Sequence, residues 1–238
     1  MPNIEYPYMP AGRFLKYAAV DDPFMVEASK AREECAGDPL YPVGIVMVKN
    51  GQVVARAGNG FNRGPGKVHV CPRIVLDCPS GTGYELCDLH DAPGHSERMV
   101  LQAAWEAGVD PAGADVYMFG HWWACEPCWT ALIEAGVRDL YVVDDAHERF
   151  SRDKVYGETL TPSVRTVSLV GFDGEILEAV CGQLGELGLE QVDQDADVRC
   201  VMEGDGVRCF LKDEIEPVYK VESGDHLARQ LRNVLRQL

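Results

Sequence analysis

Four residues, His95, Glu97, Cys125 and Cys128, have the types and spacing of a hydrolytic metal site. One imidazole and two thiolates supply the three protein ligands that a water-activating zinc ion keeps, with its fourth position left open. Glu97 is then left over to move protons. The four residues therefore predict zinc-assisted hydrolysis.

The two cysteines must be held by one helix start. Cys125 and Cys128 lie at i and i+3, so they are neighbours on the first turn of the helix predicted from Trp129 to Ala135. Pro127 suits that start, because its missing N–H falls among amides that have no partner within the helix. Both sulfurs are therefore expected to reach one ion.

The histidine must be held by a second helix start. The sequence from Pro93 predicts a helix that begins near His95, has an apolar body and ends at Gly108. Residues two apart do not share a helical face, so Glu97 is poorly placed to bind the ion of His95 directly. It is placed to reach a water held there, which favours a catalytic site over a closed structural one.

His-x-Glu followed by a Cys-x-x-Cys pair resembles the signature of the zinc-dependent cytidine and deoxycytidylate deaminases. The resemblance covers roughly Phe14 to Asp145. It implies hydrolytic deamination of a cyclic amidine, with zinc as the cofactor. It also implies that His95, Cys125 and Cys128 are the ligands and that Glu97 carries protons to the ring nitrogen and the leaving amine.

The substrate is expected to be a nucleotide. The segment from Gly60 to Pro65 resembles the Gly-Tyr-Asn-Gly-x-Pro loop of the deoxycytidylate deaminases, which makes Asn62 a candidate substrate contact. Cys71-Pro72-Arg73, Ser80-Gly81 and Cys87 are similar to the insert that separates that branch from the shorter cytidine deaminases. The resemblance therefore implies conversion of dCMP to dUMP with release of ammonia.

Cations in the same region are candidates for binding the 5′-phosphate. Arg63 and Lys67 lie in a glycine-rich loop that also offers exposed amides, and Arg73 follows from the Cys-Pro-Arg resemblance. A solvated surface loop has the same composition. Asn62 has an equally plain alternative reading as an ordinary turn residue among glycines.

Three departures from the family pattern alter the expected pocket wall. Ser96 replaces the usual alanine, Ala124 replaces the usual proline, and the approach through residues 120–123 is about two residues longer than the resemblance leads us to expect. Ser96, His121 and Trp122 are thus candidates to line the base pocket, although such an aromatic cluster is also typical of a core or an interface. A different base, nucleoside or modified nucleotide stays open as the substrate, as does a non-catalytic nucleotide-sensing zinc protein.

A second metal site is a further candidate. Cys71, Cys78, Cys87 and His90 are crowded into one turn-rich stretch, and Cys87 and His90 have ligand-like spacing. Some deoxycytidylate deaminases carry a structural zinc in this insert. The alternative is that these cysteines are reduced thiols without a metal.

Composition restricts the class of partner. The chain has 38 acidic and 22 basic residues and a net charge of −16, which opposes a groove for polymeric nucleic acid because such affinity comes largely from neutralised phosphates. The first residues lack the basic start and apolar core of a signal peptide, so a reducing cytoplasm is expected. No stretch has the apolar length of a membrane span.

Helices alternate with strands through the deaminase-like part, which predicts an α/β fold with a mixed sheet flanked by helices. We expect a deaminase domain over residues 14–150, with a β-hairpin turning at Asn50-Gly51, and a small α+β extension of unknown role over residues 151–238. The extension ends in an amphipathic helix whose apolar face predicts either docking within the chain or an oligomer contact. We expect a homo-oligomer.

Overall fold

The computed structural model describes residues 4–60, 69–79, 81–87, 89–204, 206–221 and 226–238. Within these ranges the strands are β1 (Leu15–Ala18), β2 (Gly44–Lys49), β3 (Gln52–Gly58), β4 (Asp115–Phe119), β5 (Asp139–Val143), β6 (Thr166–Val170), β7 (Glu190–Gln191), β8 (Val198–Glu203), β9 (Gly206–Leu211) and β10 (Tyr219–Val221). The helices are α1 (Pro23–Cys35), α2 (Pro72–Val75), α3 (Ser96–Glu106), α4 (Glu126–Glu134), α5 (Ala146–Arg149), α6 (Arg152–Thr159), α7 (Gly174–Glu186) and α8 (Leu227–Leu235).

The chain forms two compact units. The first contains residues 1–64 and 80–159, and the second contains residues 65–79 and 160–238. This division differs from the expected one in two places: α6 belongs to the first unit, and the segment of residues 65–79 belongs to the second. The order of elements along the chain does not predict this grouping, because the segment of residues 65–79 packs with elements that come much later in the sequence.

The first unit is built on a five-stranded mixed sheet in the order β1-β5-β4-β2-β3. β5 pairs in parallel with β1 and with β4, whereas β2 is antiparallel to both β4 and β3. The two central strands β4 and β2 are almost entirely buried, as expected for strands covered by helices on both faces. The predicted α/β class, with a mixed sheet flanked by helices, is confirmed.

The predicted hairpin at Asn50-Gly51 joins β2 to β3. Asn50 has φ of 54° and Gly51 has φ of 73°, the left-handed pair that a two-residue type I′ turn requires. The register runs from Lys49 opposite Gln52 to Gly44 opposite Gly58, with one irregularity between Met47 and Val48. The residue types at the turn therefore determine how β2 and β3 pair.

Two glycines at the far end of that hairpin let α1 approach the sheet. A Cβ atom on Gly44 would lie 2.0 Å from the backbone nitrogen of Arg32, and one on Gly58 would lie 2.3 Å from that of Ala36. Real Cβ atoms do not come so close to a backbone. The absence of a side chain at both positions is thus what permits the close packing of α1 on β2 and β3.

The second unit has its own five-stranded sheet, in the order β10-β9-β8-β6-β7. β6 is parallel to β7 and β8, and the hairpin of β8 and β9 continues antiparallel into β10. Its core includes the apolar face of α8. The predicted positions Leu227, Leu231 and Val234 on α8 and Leu238 just beyond its end are all buried. This helix therefore packs within its own unit, the first of the two alternatives that its amphipathic pattern left open.

Across the described ranges, every helix is too short or too polar to span a bilayer.

Candidate active site

His95 is placed by the turn that precedes α3. Asp91 accepts a hydrogen bond from the Ala92 amide at 2.8 Å and starts a short 3-10 turn over Ala92–Gly94, after which His95 is the extended N-cap residue of α3. Its Nε2 lies 3.0 Å from the carbonyl oxygen of His90. Because a carbonyl can only accept, this contact places the proton on Nε2 and leaves Nδ1 with a free lone pair.

The two thiols lie on the first turn of α4, as predicted. Cys125 is the extended N-cap residue, and the Cys128 amide donates to its carbonyl at 3.1 Å. The sulfur atoms are 3.1 Å apart, and Nδ1 of His95 lies 3.3 Å from each. His95 thus meets two cysteines that lie 30 and 33 positions later in the sequence, and the three side chains present one nitrogen and two sulfurs to a common point.

This donor set fits a zinc ion. Atoms that each bond one zinc at about 2.0 to 2.3 Å cannot be more than roughly 4.6 Å apart, and the three measured distances satisfy that limit. The hydrogen bond shared with Cys128 and the proximity of His95 hold the pKa of the Cys125 thiol well below its usual range. The same hydrogen bond and burial raise the pKa of Cys128. The environment of Cys125 therefore favours the thiolate form that binds zinc.

The carboxyl group of Glu97 lies beside the thiols. The side chain is only 5 % exposed and lies close enough to Cys125 and His95 for their charges to act on it. Burial, followed by the charge of Cys125, raises the pKa of Glu97. The Ser96 hydroxyl donates to Glu97 Oε2 at 3.0 Å, and Ser96 is itself 1 % exposed. A buried acid with a raised pKa next to the candidate ligands is suited to accept and release a proton.

The approach to Cys125 contains the aromatic cluster His121, Trp122 and Trp123. Gly120 follows β4 and has φ of 108°, and a Cβ atom there would lie 2.5 Å from the carbonyl oxygen of Pro42. His121 Nδ1 lies 2.7 Å from the carbonyl oxygen of Trp123, whose ring is buried. The Trp122 ring packs against the first unit's core. The base-pocket role of His121 and Trp122 stays a prediction.

Several predicted substrate contacts cannot be placed at this site. Asn62, Arg63 and Lys67 lie outside the described residues. Arg73 lies on α2, in the second unit. The buried hydroxyl of Ser96 lies 3.0 Å from Glu97 Oε2 and 3.8 Å from the Met118 sulfur. Its shorter contact is thus with the acid. Substrate contact by all five stays a prediction.

The four residues of the predicted second metal site are divided between the units. In the first unit, Cys87 Sγ lies 3.2 Å from His90 Nδ1. In the second unit, Cys71 precedes α2, and its amide donates to Gln237 Oε1 at 2.7 Å, while Cys78 is half-buried. The second site therefore stays a prediction, which the zinc content of purified protein can test.

Two residues near His95 were missed by sequence reasoning. The Tyr84 ring packs edge-on against the His95 ring, with centroids 4.8 Å apart. Asp38 Oδ2 lies 2.8 Å from His90 Nε2. Although burial opposes the charged forms, this pairing lowers the pKa of Asp38 and raises that of His90 to about 9. Neither residue belongs to a periodic or motif-like pattern, so the sequence carried no signal for them.

A known protein family matches the part of the chain that contains this site. The family described as "Cytidine and deoxycytidylate deaminase zinc-binding region" matches residues 19–144. No curated protein matches the chain.

The solved structures that resemble the chain include dCMP deaminase from the cyanophage S-TIM5 (20 % identity, TM-score 0.33, covering 53 % of this chain and 86 % of that one). They also include guanine deaminase from Bacillus subtilis (17 % identity, TM-score 0.32, covering 58 % of this chain and 74 % of that one). A third is the diaminohydroxyphosphoribosylaminopyrimidine deaminase/5-amino-6-(5-phosphoribosylamino)uracil reductase of Thermotoga maritima (20 % identity, TM-score 0.34, covering 61 % of this chain and 42 % of that one). With its family match spanning more than half of its length, this chain belongs to the zinc-binding cytidine and deoxycytidylate deaminase family.

Proposed function

We propose that this protein hydrolyses dCMP to dUMP and ammonia. The observation that carries the proposal is the position of Glu97, a buried carboxyl beside the nitrogen and sulfur atoms that fit zinc. A closed structural site would need a fourth ligand and no neighbouring acid. Three ligands with a proton carrier beside them are typical of hydrolysis.

In the proposed reaction, His95, Cys125 and Cys128 hold the metal, which lowers the pKa of a water to about 7 when bound. Glu97 takes a proton from the water whose oxygen adds to the carbon that carries the amine. It gives this proton to the ring nitrogen. Glu97 then moves the remaining proton of the added hydroxyl to the amine, which leaves as ammonia when the carbon–nitrogen bond breaks and the carbon–oxygen bond becomes a carbonyl. The raised pKa of Glu97 suits both directions of transfer.

The choice of a nucleotide rests on the sequence. The strongly acidic chain is unsuited to binding a nucleic acid polymer, whereas a single 5′-phosphate needs only a local group of cations. We propose that Arg63, Lys67 and Arg73 supply those cations and that Asn62 contacts the nucleotide. We further propose that His121 and Trp122 line the space for the base.

The test is ammonia release by zinc-loaded protein from dCMP, CMP, dCTP, deoxycytidine, cytidine, guanine and adenosine. Glu97→Gln is the blank for each substrate, because an amide of the same shape cannot carry the proton. Turnover of dCMP above the others, absent in the blank, supports the proposal. Preferential turnover of another base or nucleoside would overturn the substrate assignment and keep the deaminase chemistry. Tight nucleotide binding without ammonia from any of them would favour a nucleotide sensor.

A further inference from the structure

The side chains of Asp38 and His90 form a buried carboxylate–imidazole pair close to the His95 ring. Asp38 is 1 % exposed and His90 is 7 % exposed, and Asp38 Oδ2 lies 2.8 Å from His90 Nε2. The main-chain carbonyl of His90 in turn accepts the hydrogen bond from His95 Nε2 at 3.0 Å. The proposed reaction gives neither Asp38 nor His90 a chemical step.

Asp38 is itself held from several directions. Its Oδ1 accepts from the amides of Leu40 at 2.8 Å and Tyr41 at 3.2 Å, and its Oδ2 also accepts from Asn59 Nδ2 at 3.2 Å. Asn59 is fixed by the Val43 amide, which donates to Asn59 Oδ1 at 2.7 Å. The carboxylate is therefore a rigid point, tied to the end of β3 and to the start of β2.

His90 is held at both ring nitrogens. Nε2 contacts Asp38, and Nδ1 lies 3.2 Å from Cys87 Sγ. The His90 amide also donates to the Cys87 carbonyl oxygen at 3.0 Å, so the ring and the main chain of residue 90 are both held and its carbonyl oxygen has a fixed direction. That oxygen decides which way the His95 ring faces, because His95 can present Nδ1 to the thiols only while its Nε2 proton has an acceptor on the opposite side.

We propose that Asp38 and His90 are positioning residues that orient the His95 ring for metal binding through the carbonyl of His90. The inference rests on the proposed function, because it takes His95 as a zinc ligand. Partners that orient a ligating histidine typically contribute about 10- to 100-fold to metal affinity. Neither residue touches the reacting atoms, so the effect is on affinity for the metal and on turnover, with KM for substrate unchanged.

The test is the dissociation constant for zinc, measured by competition with a chelator on the full chain. Asp38→Asn keeps the oxygen that serves Leu40 and Tyr41 but replaces Oδ2 with an amide that cannot accept from His90. We expect zinc affinity to fall about 10- to 100-fold and kcat to fall with KM unchanged. His90→Gln, which breaks the pair from the other side and keeps the backbone carbonyl, is expected to give the same loss. Because His90 is also a candidate ligand of the second zinc, only the zinc that Cys125→Ser removes is counted. This result decides the matter if Asp38→Asn does not fold.

A matched control separates positioning from general stability. Asp115 is another buried carboxylate of the first unit, 8 % exposed and paired with Arg138 Nε at 2.8 Å. Asp115→Asn is expected to lower the thermal midpoint and to leave zinc affinity unchanged. Asp38→Asn or His90→Gln protein that shows the same pattern as this control would overturn the inference.

The ligand variant Cys125→Ser distinguishes the two proposals. A loss of zinc affinity in Cys125→Ser with none in Asp38→Asn overturns the positioning role alone. Unchanged zinc affinity in Cys125→Ser would overturn the zinc site itself, and with it the proposed function.

Discussion

Ser96 donates its hydroxyl proton to Oε2 of Glu97 across 3.0 Å, between two side chains that are both buried. The resemblance to the deaminases leads one to expect an alanine at position 96. This hydrogen bond stabilises the charged carboxylate and so acts against the burial that raises the pKa of Glu97. The departure from the family pattern therefore bears on the acid of the site.

Replacing Ser96 with alanine should raise the pKa of Glu97, because the charged form loses a hydrogen bond. If Glu97 must start the reaction as the carboxylate, activity is lost as the pH falls through this pKa. We therefore expect the acid limb of kcat/KM against pH to move to higher pH in Ser96→Ala. Ser168→Ala, at a buried serine of the second unit, is the control and should leave the profile unchanged. A limb that stays in place or moves to lower pH contradicts the prediction.

Replacing Glu97 with glutamine should remove turnover and keep the metal. Loss of a positioned acid and base typically costs about 100- to 10,000-fold in rate, whereas the three ligand atoms stay in place. The measurement is kcat together with zinc content by elemental analysis. Retained turnover would show that Glu97 does not carry the proton.

Replacing Cys125 with serine should remove zinc and activity together, because a hydroxyl is a poor ligand compared with a thiolate whose pKa is lowered in place. Cys35→Ser is the matched control, since Cys35 is exposed at the end of α1. We expect the control to bind zinc as the unaltered protein does. Equal zinc content in both variants would rule out Cys125 as a ligand.

Removing zinc should lower the stability of the protein. Binding that is specific to the folded state adds about 2.7 kcal/mol when free metal is 100-fold above its dissociation constant. The thermal midpoint should therefore fall after treatment with a chelator and return on addition of zinc. Cys125→Ser protein should show a smaller zinc-dependent shift, and a shift of full size in that variant would assign the stabilising metal to another site.

Replacing Gly44 with alanine should destabilise the first unit. The new Cβ would meet the backbone of α1 at Arg32 and at Ala28, which no side-chain rotation can relieve. We expect a loss of about 3 kcal/mol in the free energy of unfolding. Denaturant unfolding measures it.

The control for Gly44 is Gly157 in α6, where a Cβ would meet no atom of the described residues within 4 Å. Gly157→Ala should stabilise the same unit by about 0.5 to 1 kcal/mol, because glycine is the poorer helix former. Destabilisation by both substitutions would mean that loss of glycine, rather than the close approach of α1, is responsible.

Local chemistry was readable from the sequence. Several features depend only on residues a few positions apart. They are the turn at Asn50-Gly51, the start of α4 at Cys125 and the pairing of Cys125 with Cys128. The same holds for His95 and Glu97 at the start of α3. For these elements, backbone preference and spacing act over a few residues, so the pattern of residue types was sufficient.

Only the tertiary structure brought the nitrogen of His95 to 3.3 Å from two sulfurs of another helix. It also joined Asp38 to His90 and placed residues 65–79 with the second unit. These relationships depend on how helices pack on the sheet, through contacts between segments far apart in the chain that no short-range pattern encodes. The sequence by itself thus determined which residues could do the chemistry, and the packing of α3 and α4 decided that they meet.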